Sequence, residues 1–176
     1  MILITAFEPF GGKRVNASAA ALHNLPDRIS GHDVRKTVLP VVFGKAGQIA
    51  VDAATNCTFI FLLGEAGRTV VTPETTARNI RSARILDNKG NQPRDEVIAL
   101  GAPDYHTTVP VKEIVEQMKR EGYEIEVSED AGTFVCNDTF YLVGTNTSVP
   151  VVFIHVPENK NAAGTVQRFV ELAVSE

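Results

Sequence analysis

A thiol and an imidazole stand where a cysteine nucleophile and its base would need to be. Cys136 lies in Ala131-Gly132-Thr133-Phe134-Val135-Cys136-Asn137, where a loop gives way to a helical pattern. Further on, the apolar run Val151-Val152-Phe153-Ile154-His155-Val156 reads as a buried strand carrying a histidine near its end. Attack by sulfur needs the thiolate and a group that takes the thiol proton. Unpaired N–H groups and the dipole at a helix start favour negative charge, so this position predicts a thiol pKa lowered toward neutrality. A histidine between Ile154 and Val156 is equally compatible with a satisfied core residue, and its role depends on a partner. The loop charges Glu65, Arg68, Glu74, Arg84, Asp87, Asp95 and Glu96 include carboxylates that could orient the imidazole, and spacing alone does not choose among them.

The elements that must position these groups alternate along the chain. Ile2–Thr5 reads as a strand broken by Glu8-Pro9-Phe10-Gly11-Gly12. Asn16 is placed to cap a helix with Ala17, Ala20, Ala21 and Leu25 inward, ending at Pro26. Residues 34–42 read as extended and 45–54 as an alanine-rich helix. The run Phe59-Ile60-Phe61-Leu62-Leu63, apolar on both faces and closed by Gly64, suits a central parallel strand. Residues 65–110 form a long polar span rich in Gly and Pro, a length that is often functional. Val111, Ile114, Val115 and Met118 form one stripe of a surface helix over 111–120, with Lys112, Glu113, Glu116 and Lys119 opposite. A modest strand at 124–127, a helix at 133–143 with Thr133 as cap, a strand at 149–156 and a closing helix at 162–174 complete the order. Strands and helices in alternation predict one α/β domain over residues 1–176, an α/β/α sandwich with a mostly parallel sheet and helices on both faces.

Composition narrows the function classes. The 176 residues are 44% hydrophobic and 22% charged with a net charge of −4, as in a globular protein that does not seek phosphate backbones. Apolar runs are strand-sized, short of the roughly 20 residues that span a bilayer. The N-terminal segment lacks a signal-peptide pattern, so a cytoplasmic location is expected, with Cys57 and Cys136 as free thiols. Neither nucleic acid nor membrane is an expected partner. No Cys-x-x-Cys and no histidine pair at ligand spacing argues for a metal, and Gly11-Gly12 lacks the company of a dinucleotide or Walker motif.

Several segments together resemble the pyroglutamyl peptidase I (pyrrolidone carboxyl peptidase) family. They are Thr5–Gly12, Leu39–Lys45, Gly64–Arg68, Thr72-Pro73-Glu74, Ala83–Asn88, Gly90–Pro93, Ala131–Asn137 and Phe153–Pro157, in the family's order. The resemblance implies a thiol peptidase that removes N-terminal pyroglutamate from small peptides, without metal or organic cofactor. By it, Cys136 is the nucleophile, His155 the base and Glu74 the catalytic acid, with Asp87 and Arg84 supporting. Phe7, Phe10 and Phe134 then hold the lactam ring, and Glu65 stands where the family has a glutamine that reads the lactam. A flat, largely apolar ring gains from aromatic faces, whereas an ionised Glu65 can only accept hydrogen bonds.

The departures bear on specificity. One glycine is missing from Gly64–Arg68, Ala6 replaces a glycine, Thr75 an arginine, Arg78 an apolar residue and Leu86 a proline. After Pro157, Glu158-Asn159-Lys160-Asn161 replaces the usual stretch. Alternatives therefore stay open: a related cysteine amidase with another small acyl group, or a non-catalytic binding protein on the same fold. Assembly into a homo-oligomer is also left open.

Overall fold

The computed structural model describes residues 1–158 and 160–175, so Asn159 of the divergent stretch and the terminal Glu176 lie outside the described residues. Strand β1 (Ile2–Phe7) is buried along its whole length and pairs in parallel with β3 (His32–Leu39) on one side and β4 (Ile60–Ala66) on the other. β4 pairs in parallel with β8 (Val151–Pro157). Short antiparallel strands close the two edges, β2 (Arg28–Ile29) beside β3 and β5 (Thr72–Glu74) beside β8. The order β2-β3-β1-β4-β8-β5 is thus parallel in its middle, and the central β1, β4 and β8, covered on both faces, read as apolar runs, while β3 is polar and only partly buried. A separate pair, β6 (Thr76–Ala77) and β7 (Tyr105–His106), gathers the long polar span.

Strand alternation sorts the core into two layers. Ile4, Phe61, Leu63, Val152 and Ile154 face α1 (Ala17–Asn24), α3 (Val111–Arg120) and α5 (Ala163–Ala173). Leu3, Phe7, Ile60, Leu62 and Phe153 face α2 (Lys45–Ala53) and α4 (Val135–Asn146). The expected single α/β/α sandwich is therefore what the chain forms.

Local signals account for most element ends. Asn16 caps α1 as expected: its Oδ1 accepts from Ser18 N–H (3.0 Å) while its Nδ2 donates to Glu8 O (3.2 Å). The inward face of α1 matches the expected stripe in part: Ala21 and Leu25 are buried, Ser18 and Leu22 join them, and Ala20 is exposed. Ser18 sits on the inward face, where its Oγ accepts the Phe7 N–H at the end of β1 (3.1 Å).

The strand expected at 124–127 does not form. The segment runs beside β5 with only isolated bridges, Val71 to Ile125 and Glu74 to Ser128. Three rungs are present: Glu126 N–H to Val71 O, Ser128 N–H to Pro73 O and Thr75 N–H to Ser128 O. The rung between them would need an N–H at Pro73, which proline lacks. No helix among the described residues is long and apolar enough to cross a membrane.

Candidate active site

The expected catalytic groups converge at the C-terminal ends of the parallel strands. Thr5 pairs with Leu62 and Gly64 with His155, so the same register carried two residues on sets Phe7, Gly64 and His155 in one row on the α2–α4 face. Gly64 is what admits the sulfur. A Cβ there would meet Cys136 Sγ at 2.8 Å and Phe153 Cζ at 2.6 Å, closer than side chains tolerate. The thiol therefore rests over position 64, whose ladder partner on the neighbouring strand is His155.

The histidine is buried and oriented by a carboxylate. His155 is 3% exposed and Glu74 0%. Glu74 pairs with Phe153 across the β5–β8 ladder, one diagonal step from His155. Glu74 Oε1 lies 2.8 Å from His155 Nδ1. A carboxylate only accepts, so Nδ1 carries the hydrogen and Nε2 is left as the proton acceptor. No hydrogen bond joins Cys136 Sγ to the imidazole among the described residues. In resting enzymes such contacts are often loose and tighten with substrate.

The start of α4 supplies a second device. Gly132 adopts φ +80°, a left-handed turn suited to glycine, and brings the chain into the helix. Thr133, the expected cap, instead donates its hydroxyl to Ser82 O (2.7 Å). Phe134 is the cap residue and no side chain caps this end. The first helical bond runs from Asp138 N–H to Phe134 O, so the N–H groups of Val135, Cys136 and Asn137 have no acceptor within the helix.

Two fully buried polar side chains then pin this turn to the long polar span. Asn137 Oδ1 accepts from Arg78 N–H (2.8 Å) and its Nδ2 donates to the carbonyls of Arg78 and Ile80. Asp138 accepts from Gly44 N–H (2.7 Å) and pairs with Arg81. Sequence reasoning passed over both residues, since nothing in the helical pattern marked them as inward.

The thiol does not behave as the helix start alone predicted. Cys136 keeps some exposure, but protein groups crowd the sulfur. Burial, then the negative charges of Glu74 and Glu65, push its pKa up to about 12. Desolvation and two carboxylates outweigh the helix terminus here, so the resting form is the neutral thiol.

The aromatic groups divide into two sets. Phe10 and Phe134 lie with ring centroids 5.9 Å apart, and Phe43 meets Phe134 edge-on at 5.4 Å. Phe7 is 2% exposed and packs lower down against Phe153 at 6.4 Å, while Phe153 touches the His155 ring at 4.8 Å. Phe43 and Phe153 were not singled out from sequence.

The remaining candidates fall differently from the expectation. Glu65 follows Gly64, so alternation sends its side chain to the α1 face. There Oε1 accepts from Ala17 N–H (3.2 Å) and Oε2 pairs with Lys13 (3.3 Å). It lines an open cleft of about 330 Å³ beside α1 rather than joining the Cys136–His155–Glu74 group. Asp87 is a loop organiser: its oxygens accept from the N–H groups of Phe43, Lys89 and Asn91 and from the Asn91 amide. Burial opposes its charge, but these bonds prevail and hold its pKa below the ordinary value.

Arg84, expected to support the site, is exposed and makes no hydrogen bond among the described residues. The arginine at the acid is Arg68, whose Nη2 lies 3.1 Å from Glu74 Oε1. The signal that could have located β5 is the run Val70-Val71-Thr72, whose β-branched character Pro73 masks, since proline is tolerated in edge strands.

The sequence and the fold of this chain both have known counterparts. The sequence model of pyroglutamyl peptidase matches residues 1–165. Pyrrolidone-carboxylate peptidase of Staphylococcus saprophyticus is 42% identical over 165 residues, covering 89% of this chain and 78% of the relative. Pyrrolidone-carboxylate peptidase 2 of Caldanaerobacter subterraneus is 40% identical over 165 residues, covering 89% and 80%. The crystal structure of pyroglutamyl peptidase I from Bacillus amyloliquefaciens superposes with a TM-score of 0.88 at 35% identity, over 99% of this chain and 92% of that one. Pyrrolidone carboxyl peptidase from Thermus thermophilus gives a TM-score of 0.89 at 33% identity, over 99% and 98%. The chain belongs to the pyroglutamyl peptidase family.

Proposed function

We propose that the chain is a cysteine peptidase that removes N-terminal pyroglutamate from peptides, with Cys136 as nucleophile, His155 as base and Glu74 as the orienting acid. The observation that carries this reading is the buried Glu74–His155 contact beside a sulfur seated over Gly64. Cys136 attacks the carbonyl joining pyroglutamate to the next residue as His155 Nε2 takes the thiol proton. Burial and two carboxylates keep the thiol protonated at rest, so attack needs His155 to take the proton. The free N–H groups at the start of α4 stabilise the oxyanion. The imidazolium, held by Glu74, returns the proton to the leaving amine, and water then hydrolyses the thioester.

In this reading the lactam ring lies against the Phe10–Phe134 pair, with Phe7 also lining its site. Glu65 acts on the pocket through Lys13, which it ties down three residues after Phe10. Asp87 acts through Phe43. Turnover of a chromogenic pyroglutamyl amide tests the proposal. Wild-type protein should release the chromophore and Cys136→Ala should not; no wild-type turnover, or full turnover by the variant, refutes it.

A further inference from the structure

Glu74 has a second partner that the resemblance did not supply. It is fully buried, and Oε1 takes both His155 Nδ1 (2.8 Å) and Arg68 Nη2 (3.1 Å). Oε2 has no hydrogen-bond partner among the described residues. A buried carboxylate is costly unless a charge and hydrogen bonds compensate it, and Arg68 is the permanent cation in contact with it. The same guanidinium reaches further. Its Nη2 also donates to Asp130 O (2.9 Å), and its Nη1 lies 3.4 Å from Ser128 Oγ. Asp130 Oδ1 in turn accepts the Gly132 N–H (2.9 Å), at the left-handed turn that leads into the helix of Cys136. One side chain thus spans the acid on β5 and the loop that delivers the nucleophile.

We propose that Arg68 is a positioning residue for the reaction: its guanidinium compensates the buried Glu74 carboxylate, aims it at His155, and ties the acid to the loop that seats Cys136. The inference rests on the functional reading above. Nη2 makes both contacts, to Glu74 and Asp130, through two N–H bonds fixed in the guanidinium plane and Nη1 reaches Ser128, whereas a lysine ammonium has neither fixed planar directions nor a second nitrogen. The titratable and charged groups around this centre are His155 on β8, Cys136 on α4 and, in the loop before α4, Asp130 with its partner Arg78 after β6; Glu65 on β4 faces α1 and acts on the sulfur only through space.

The sign of the effect follows from charge. Without the Arg68 cation the negative charge of Glu74 is uncompensated, so it stabilises the imidazolium and opposes the thiolate more strongly. Both changes move the working pH window upward. Arg68 is partly exposed and acts through Glu74, so the profile should move by about one pH unit.

The test compares Arg68→Gln, Arg68→Lys and wild type by two readouts across pH. One is the rate of Cys136 alkylation by iodoacetamide, followed peptide by peptide so that Cys57 is separate; the other is turnover of a pyroglutamyl amide. For Arg68→Gln the alkylation rate at a fixed, mildly alkaline pH should fall about tenfold and the acid limb of kcat/KM should rise by about one pH unit, and millimolar guanidinium should partly reverse both. Arg68→Lys keeps the charge, so its profile should stay in place while kcat falls about tenfold for loss of the fork.

A folded Arg68→Gln whose profiles match wild type overturns the proposal. Should that variant not fold, wild-type kcat in Arg68→Lys overturns it instead. Alkylation needs no substrate, so a wild-type protein inert toward pyroglutamyl amides would refute the functional reading while this measurement still decided the part of Arg68.

Discussion

Gly64→Ala is the smallest change that should separate folding from chemistry in this protein. The added methyl would sit 2.8 Å from Cys136 Sγ and 2.6 and 2.9 Å from two Phe153 ring atoms. Favourable non-bonded contact begins near ~3.5–4.0 Å, so the sulfur must retreat by roughly 0.7–1.2 Å or the ring must move. Phe153 has little freedom: it is 0% exposed and is packed between Phe7, Phe140 and His155. The sulfur, at the open side, should therefore yield. Overpacking of this kind costs about 1–3 kcal/mol of stability, and a displacement near 1 Å of a reacting atom costs about a hundredfold in rate. Urea unfolding and kcat on a chromogenic pyroglutamyl amide measure the two effects on one preparation. The expected result is a folded variant with kcat reduced about a hundredfold and KM changed far less. Wild-type kcat together with a lowered unfolding midpoint would refute the reasoning, because it would mean that the sulfur over Gly64 is not the attacking group.

Other consequences can be checked together. Glu65→Gln keeps an acceptor for Ala17 N–H but removes a negative charge that raises the Cys136 pKa, so alkylation of Cys136 at fixed neutral pH should quicken. The lost pairing with half-exposed Lys13 should cost under about 1 kcal/mol in urea unfolding. Asp87 has a folded pKa below the ordinary 3.8, so its stabilisation is complete above that value and is lost as pH falls through the folded pKa. The melting temperature of wild type should therefore fall more steeply below pH 4 than that of Asp87→Asn, as read by thermal scans at stepped pH. Asn137→Ala leaves the Arg78 N–H and two carbonyls without their partner, which should lower stability by about 1–3 kcal/mol and reduce turnover further by loosening the start of α4.

Much of the architecture was legible because it depends on short-range pattern. The apolar runs of β1, β4 and β8, the stripe of α3 and the Asn16 cap are each written in a few adjacent residues, and each forms where the pattern places it. Cys136 and His155 were legible for the same reason, as one residue at a helix start and one at a strand end. The resemblance added Glu74, which no local pattern distinguished from the other loop carboxylates.

What only the folded chain decided lies in contacts between segments far apart in sequence. Pairing of β5 with β8 turns Glu74 toward His155, and a missing N–H at Pro73 breaks the neighbouring ladder, so the span after β4 looked structureless. Arg68 rather than Arg84 meets the acid because the turn after β4 folds back over β5. The sequence shows a helix start beneath Cys136 and so predicts an acidic thiol. Tertiary packing reverses that, because desolvation and the fields of Glu74 and Glu65 act through space and are set by which chain segments the fold brings within a few ångströms of the sulfur.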